Sequence, residues 1–179
     1  MTTFEFSIIA SGLDPQADDF ETRFYNAGCD DATVSFQKGH IIVDFAREAD
    51  SIGEAICSAV ECVQKAGARV DRVEPDPLVS LAEIAARSHL TRAAVSLYAK
   101  GERNADFPAP VVRVTSPTSL YDWAEVATWL FHHEKISREE ALEAEAVKAV
   151  NEAIAGQDPE LREAVRKRLE SREKELEAA

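Results

Sequence analysis

The sequence predicts an α+β protein, and three observations carry that prediction. Across residues 1–75 the hydrophobic spacing switches between a period of two and a period of 3.6, with glycines at the breaks. Between Ser80 and Arg103 two short helices, each with its own N-terminal cap, meet at a tight turn. Beyond Ser137 a longer amphipathic pair follows, broken at Gly156. Three parts are therefore expected: an acidic α+β domain at 1–75, a central region at 78–135, and a helical hairpin at 136–179.

A chain of 179 residues, 45% hydrophobic and 7% aromatic, can build true cores and is not a disordered segment. No apolar run reaches the length of a membrane span, and the stretch MTTFEFSIIASGLDPQ lacks the basic flank and long apolar region of a signal peptide. A cytoplasmic protein with no membrane partner is expected. Cys29, Cys57 and Cys62 show no C-x-x-C spacing, so buried free thiols are expected rather than a disulfide framework or a zinc site. The net charge of −13 divides as −9 over residues 1–77, zero over 78–135 and −4 over 136–179. Such a balance opposes non-specific coating of nucleic acid, and the least acidic third holds the two capped helices.

In chain order, FEFSIIAS at 4–11 is β-rich and bounded by Gly12. Asp14 and Pro15 supply an N-cap and first-turn proline for a helix running to Ala27, with Gly28 as its stop and Phe20, Phe24 and Ala27 on one face. ATVSFQ and HIIVDFA are joined by Lys38 and Gly39, a two-residue hairpin connection, and Val34, Phe36, Ile41, Val43 and Phe45 supply the inward faces. A helix from Ser51 to Ala66 turns Ile52, Ile56, Ala59, Val60 and Val63 to one side and stops at Gly67. ARVDRVEP is the last short strand, closed by Pro75 and Pro77, which stiffen the linker at 74–77. The order strand, helix, strand, strand, helix, strand resembles the ferredoxin-like split βαβ arrangement. Such a domain is expected to fold alone, and its fold fixes no function. An RNA-binding version would need exposed aromatics on a basic sheet face, and this region is acidic.

In the central region, Ser80 and Glu83 form a capping box ahead of Leu81, Ile84 and Ala85. Thr91 caps a second helix in which Val95 and Tyr98 lie one turn apart. This resembles a helix-turn-helix, whose second helix lies in the DNA major groove. His89 stands at the turn position most often filled by glycine, and histidine visits positive φ more readily than most residues. Arg92, Ser96, Lys100 and Arg103 form a stripe opposite Val95 and Tyr98, which a purely structural hairpin does not need.

After Gly101 comes FPAPVVRVTSPTSLYDWAEVATWL. Pro108 and Pro110 forbid helix, Val111–Val114 and Ser119–Tyr121 flank a turn at 116–118 as a short two-stranded wing, and Asp122 with Glu125 caps a helix carrying Val126, Trp129 and Leu130. Residues 78–133 thus resemble the excisionase, AlpA and MerR-like winged helix-turn-helix proteins. The resemblance implies a sequence-specific regulator of transcription acting on double-stranded DNA, expected as a dimeric repressor because one short helix reads too few base pairs. It implies that Thr91 orients on phosphate, that Arg92 and Ser96 face base edges, that Ala93 meets a thymine methyl, and that Lys100, Arg103 and Arg113 hold the backbone.

Ser137 and Glu140 open another capping box, with Leu142, Ala146, Val150 and Ile154 at helical spacing up to Gly156. Asp158 and Pro159 start a last helix with Leu161, Val165, Leu169 and Leu176. Its basic residues at 162, 166, 167, 168 and 172 alternate with glutamates and read as a solvated face. Its apolar seam is expected to dock on a second subunit. No nucleophile motif, phosphate loop or metal-ligand spacing occurs, and adjacent His132 and His133 diverge on a helix, so neither an enzyme nor a cofactor is expected. Two other classes compete: an acidic protein–protein adaptor with a degenerate helix-turn-helix, and a regulator whose N-terminal domain senses a small ligand.

Overall fold

A computed structural model describes residues 1–178 and has mixed α and β structure in two compact units. The first unit comprises residues 1–75 with 146–171. The second comprises 76–145 with the chain from Arg172 onward.

In the first unit β1 (Thr2–Ser11), β2 (Ala32–Gln37), β3 (His40–Ala49) and β4 (Arg69–Glu74) form one antiparallel sheet in the order β2-β3-β1-β4. Alternation sends Phe6, Ile8 and Ala10 of β1 to the same face as their cross-strand partners Phe45, Val43 and Ile41 of β3. There they meet Phe20 and Phe24 of α1 (Phe20–Ala27) and Ile56, Val60 and Val63 of α2 (Ile52–Lys65). The opposite face carries Glu5, Ser7 and Asp44, and Ser7 Oγ donates to Asp44 Oδ1 at 2.5 Å. It has no aromatic platform of the kind single-stranded nucleic acid requires.

The β2–β3 hairpin turns at Lys38 and Gly39, both at positive φ (50° and 81°), the geometry that matches the strand twist. Phe36 departs from its expected place. Its register opposite Ile41 puts it on the inner face, yet it lies at the hairpin end and stays 48% exposed. The first helix also starts later than expected. The Asp14 carboxylate accepts from the Gln16 amide at 2.9 Å, which holds the chain in a local turn, and the helix begins only at Phe20. Gly28 (φ 98°) ends it as expected.

The C-terminal hairpin consists of α6 (Arg138–Ala155) and α7 (Leu161–Glu177). Its seam does not await a second subunit. Ala146, Val147, Val150 and Val165 are buried in the same cluster as the sheet and its helices, and Leu161 and Leu169 pack against that cluster. Leu169 lies so close to α2 that a Cβ at Gly53 would sit 2.5 Å from its Cδ1, which explains a glycine inside that helix. The Asn151 amide accepts from Val73 N–H at 2.7 Å and donates to Val73 C=O at 2.9 Å. It thereby satisfies the outer backbone groups of edge strand β4. The compact unit therefore holds residues 146–171 together with 1–75, where the sequence predicts 1–75 alone.

In the second unit β5 (Leu78–Val79) pairs with β6 (Tyr121–Asp122), and α3 (Leu81–Ser88), α4 (Arg92–Ala99) and α5 (Trp123–His132) surround Val79, Ile84, Val95, Tyr98, Val126, Trp129 and Leu130. Asp122 caps α5 by accepting from Glu125 N–H at 3.2 Å. Arg172, expected on a solvated face, is instead 11% exposed. It holds the fully buried Glu145 at 2.7 Å and reaches Glu125 and Glu175. Arg162, Arg166, Lys167 and Arg168 do lie at the surface, in ion pairs with glutamates. No helix among the described residues is long and apolar enough to cross a membrane.

Candidate nucleic-acid interface

The helix pair is fixed from both ends by its own side chains. Ser80 Oγ accepts from Glu83 N–H at 3.3 Å while Glu83 Oε2 accepts from Ser80 N–H at 2.7 Å, closing the capping box. The Ser80 amide and hydroxyl hold the Glu83 carboxyl below the usual carboxylate range. At the far end of α3, His89 takes the left-handed conformation (φ 56°) and Leu90 N–H returns to Ala85 C=O at 3.1 Å. Ser88, buried, donates its hydroxyl to Ile84 C=O. Thr91 then caps α4, its Oγ1 accepting from Ala94 N–H at 3.1 Å.

Inside the wedge Val95 is fully buried, and Tyr98 joins an aromatic cluster that stitches α4 to the following segment. Tyr98 lies edge to face with Trp129 (5.0 Å) and stacks on Phe107 (6.1 Å), and Phe107 in turn meets Trp129 at 5.0 Å. Phe107 was not singled out in the sequence. Its signal is its place before Pro108, where an aromatic that follows a short helix can fold back into the core. Arg87 is a second such residue: its Nη1 donates to Asp76 C=O at 2.9 Å, its guanidinium lies 5.4 Å from the Trp123 ring, and burial lowers its pKa.

The site residues fall into three groups. Thr91, Arg92 and Ala93 are exposed on the first turn of α4, with Ser96 half-buried one turn on. Lys100 is exposed at the C-cap rather than on the helical face. Arg103 lies beyond the helix, its guanidinium 5.9 Å from the Tyr98 ring, so the four-residue stripe is shorter than its spacing implied. Arg113 is exposed at positive φ (54°) in the loop of the expected wing.

The wing itself is a correction. Val112 and Leu120 form one isolated antiparallel bridge, and the strand pairing goes to Leu78–Val79 with Tyr121–Asp122 instead. The loop is held by side chains: Arg113 C=O accepts from Ser116 N–H (2.9 Å) and from Ser119 Oγ (3.1 Å).

Arginine pairing separates this surface from the rest of the molecule. Arginines elsewhere bind a carboxylate, a backbone carbonyl or a ring, as Arg23, Arg47, Arg69 and Arg138 do with acidic partners. Among the described residues only Arg92 and Arg113 are arginines whose guanidinium makes no hydrogen bond, ion pair or ring contact. In a chain of net charge −13, these two exposed guanidiniums keep their planar donor forks open to an external anion. No group of His, Cys, Asp and Glu able to hold a metal occurs among the described residues. Comparisons with protein-family models, with curated proteins and with solved structures returned no match.

Proposed function

We propose that the protein is a sequence-specific DNA-binding regulator that reads the major groove with α4. The observation that carries this reading is the pair of unpaired arginines, Arg92 on the first exposed turn of α4 and Arg113 on the 111–120 loop. Support for a helix-turn-helix comes from two capped eight-residue helices joined through a left-handed His89, with an aromatic lock behind them. The β2-β3-β1-β4 order supports the ferredoxin-like reading of the N-terminal sheet, and the Val112–Leu120 bridge supports a reduced wing. Arg92 and Ser96 then face base edges, Ala93 offers a methyl contact, Thr91 orients on phosphate, and Lys100 and Arg113 hold the backbone. Arg103 lies beyond the helix with its guanidinium over the Tyr98 ring at 5.9 Å. A homodimer repressor doubles the site read by so short a helix.

One observation favours the adaptor alternative. Val111, Val112 and Val114 are 55%, 39% and 63% exposed, an apolar loop that suits a protein surface as well as a DNA backbone.

The test is selection of a randomised duplex library by the purified full chain at moderate salt. Enrichment of one motif supports the regulator. If a dimer uses Lys100 and Arg113 in each subunit, four phosphates are neutralised and log affinity falls with log salt at a slope of roughly −3.6. Arg113→Ala is expected to flatten that slope by roughly 2 while leaving the motif unchanged. No enrichment at any salt overturns the regulator in favour of the adaptor.

A further inference from the structure

Cys29 and Cys62 lie 33 positions apart in sequence, yet their Sγ atoms are 2.7 Å apart in the buried part of the first unit. Cys29 follows the glycine that ends α1, and Cys62 sits on α2. Arg47 of β3 closes over them. Its Nη2 lies 3.7 Å from Cys62 Sγ and donates to Asp31 Oδ1 (2.7 Å) and Gly28 C=O (2.8 Å), and Nη1 donates to Ser58 Oγ at 3.1 Å. A guanidinium only 11% exposed, with a thiol pair on one side and a carboxylate on the other, is a built polar site inside an otherwise apolar core. A cleft of about 460 Å³ between α1 and β2, walled by Phe24, Tyr25 and Val34, has Cys29 in its lining.

We propose that Cys29 and Cys62 form a redox-reactive dithiol, oxidised by small hydroperoxides to an intramolecular disulfide within the first unit. The Cys62 thiolate attacks the terminal oxygen of the hydroperoxide. The O–O bond breaks, the sulfur becomes a sulfenic acid, and the leaving alkoxide or hydroxide takes a proton from water. The Cys29 sulfur then attacks the Cys62 sulfur, an S–S bond forms, and the hydroxyl leaves as water with the Cys29 proton. Two thiols and one hydroperoxide give one disulfide, one alcohol (or water) and one water.

The order of attack follows from the surroundings. The hydrogen bond shared with Cys29, and next the Arg47 guanidinium 3.7 Å away, lower the Cys62 thiol below its ordinary range, against burial and the opposing charge of Asp31. The same shared hydrogen bond, together with burial and with no arginine nitrogen as near to it, raises Cys29, so Cys29 keeps its proton until the second step. Cys57 serves as an internal control. It is buried with no thiol partner, and burial, against the Arg162 charge, pushes it up to about 11.

The experiment treats the reduced full-length protein with hydrogen peroxide, alkylates it under denaturing conditions and maps the peptides by mass spectrometry. Expected are loss of both Cys29 and Cys62 alkylation, a Cys29–Cys62 crosslinked peptide that dithiothreitol reverses, and Cys57 still alkylated. In Cys29→Ser the reaction stops at a dimedone-trappable sulfenic acid on Cys62. The wild-type oxidation rate should rise with pH through an inflection below the ordinary thiol value, and Arg47→Met should oxidise roughly tenfold more slowly at neutral pH. Because Arg47→Met loses several hydrogen bonds, the wild-type pH profile stands as the independent readout. Oxidation of Cys57 at an equal rate, a crosslink only between chains, or an inflection at the ordinary thiol value overturns the proposal.

Discussion

Asn151 offers a direct measure of how far the C-terminal hairpin belongs to the N-terminal fold. Its amide makes two hydrogen bonds to Val73, which is fully buried, while Asn151 itself is half-buried. If water replaces the amide in Asn151→Ala, the loss is the net worth of two bonds, about 1 to 3 kcal/mol. If the Val73 N–H and C=O stay dry, each group costs about 1 to 3 kcal/mol, or about 2 to 6 together. The mixed burial places the expected loss where these ranges overlap, at about 2 to 3 kcal/mol. Urea denaturation of the full chain, followed by circular dichroism, reads it. Asn151→Asp sharpens the test, because it keeps an acceptor for Val73 N–H but sets a carboxylate against Val73 C=O. It should be at least as destabilising as alanine at neutral pH and should partly recover in acid, where the protonated carboxyl can donate. A loss below about 0.5 kcal/mol for Asn151→Ala would refute the edge-capping argument.

Two further predictions concern the same architecture. A fragment of residues 1–75 lacks the cover of Val147, Val150 and Val165, worth about 5 to 9 kcal/mol if all three are fully buried. That is comparable with the whole stability of a typical domain, so the fragment should show no cooperative urea transition, and a transition at the full chain's midpoint would contradict this. For the capping box, Ser80→Ala should cost about 0.5 to 2 kcal/mol. Because the Glu83 carboxyl is held below its unfolded value, its contribution is fully present above about pH 4.3 and is lost as pH falls through the folded value. Glu83→Gln should therefore flatten the acid limb of stability against pH, and identical acid limbs in both proteins would refute the assignment.

What the sequence made legible was local. Lys38-Gly39, Ser80 with Glu83, Thr91 and Gly28 act through hydrogen bonds or φ values within a few residues, and each stands in the structure where its chemistry requires. Asp14 shows how local signals can also mislead, since the same carboxylate that can cap a helix instead bonds Gln16 and holds a turn. Partners distant in sequence were not legible. Periodicity identified the apolar face of α6 and α7 but not what covers it, and interleaved charges gave no sign that Arg172 would be buried on Glu145. Arg103 fits the helical stripe by spacing alone, whereas the helix ends at Ala99 and the guanidinium lies 5.9 Å from the Tyr98 ring centre. The Cys29–Cys62 contact depends on sheet and helix assembly, which a count of cysteines cannot reveal.

The central claim is that Arg92 reads a base, and one measurement tests it most directly. The affinities of wild-type protein and Arg92→Ala are compared on the selected site and on each of its single-base variants, at one fixed salt concentration. A bidentate contact to guanine predicts a loss of about 1 to 3 kcal/mol on the selected site, with preference relaxed at one base position only. An equal loss on every sequence would mean that Arg92 touches phosphate alone, and no loss at all would contradict the claim.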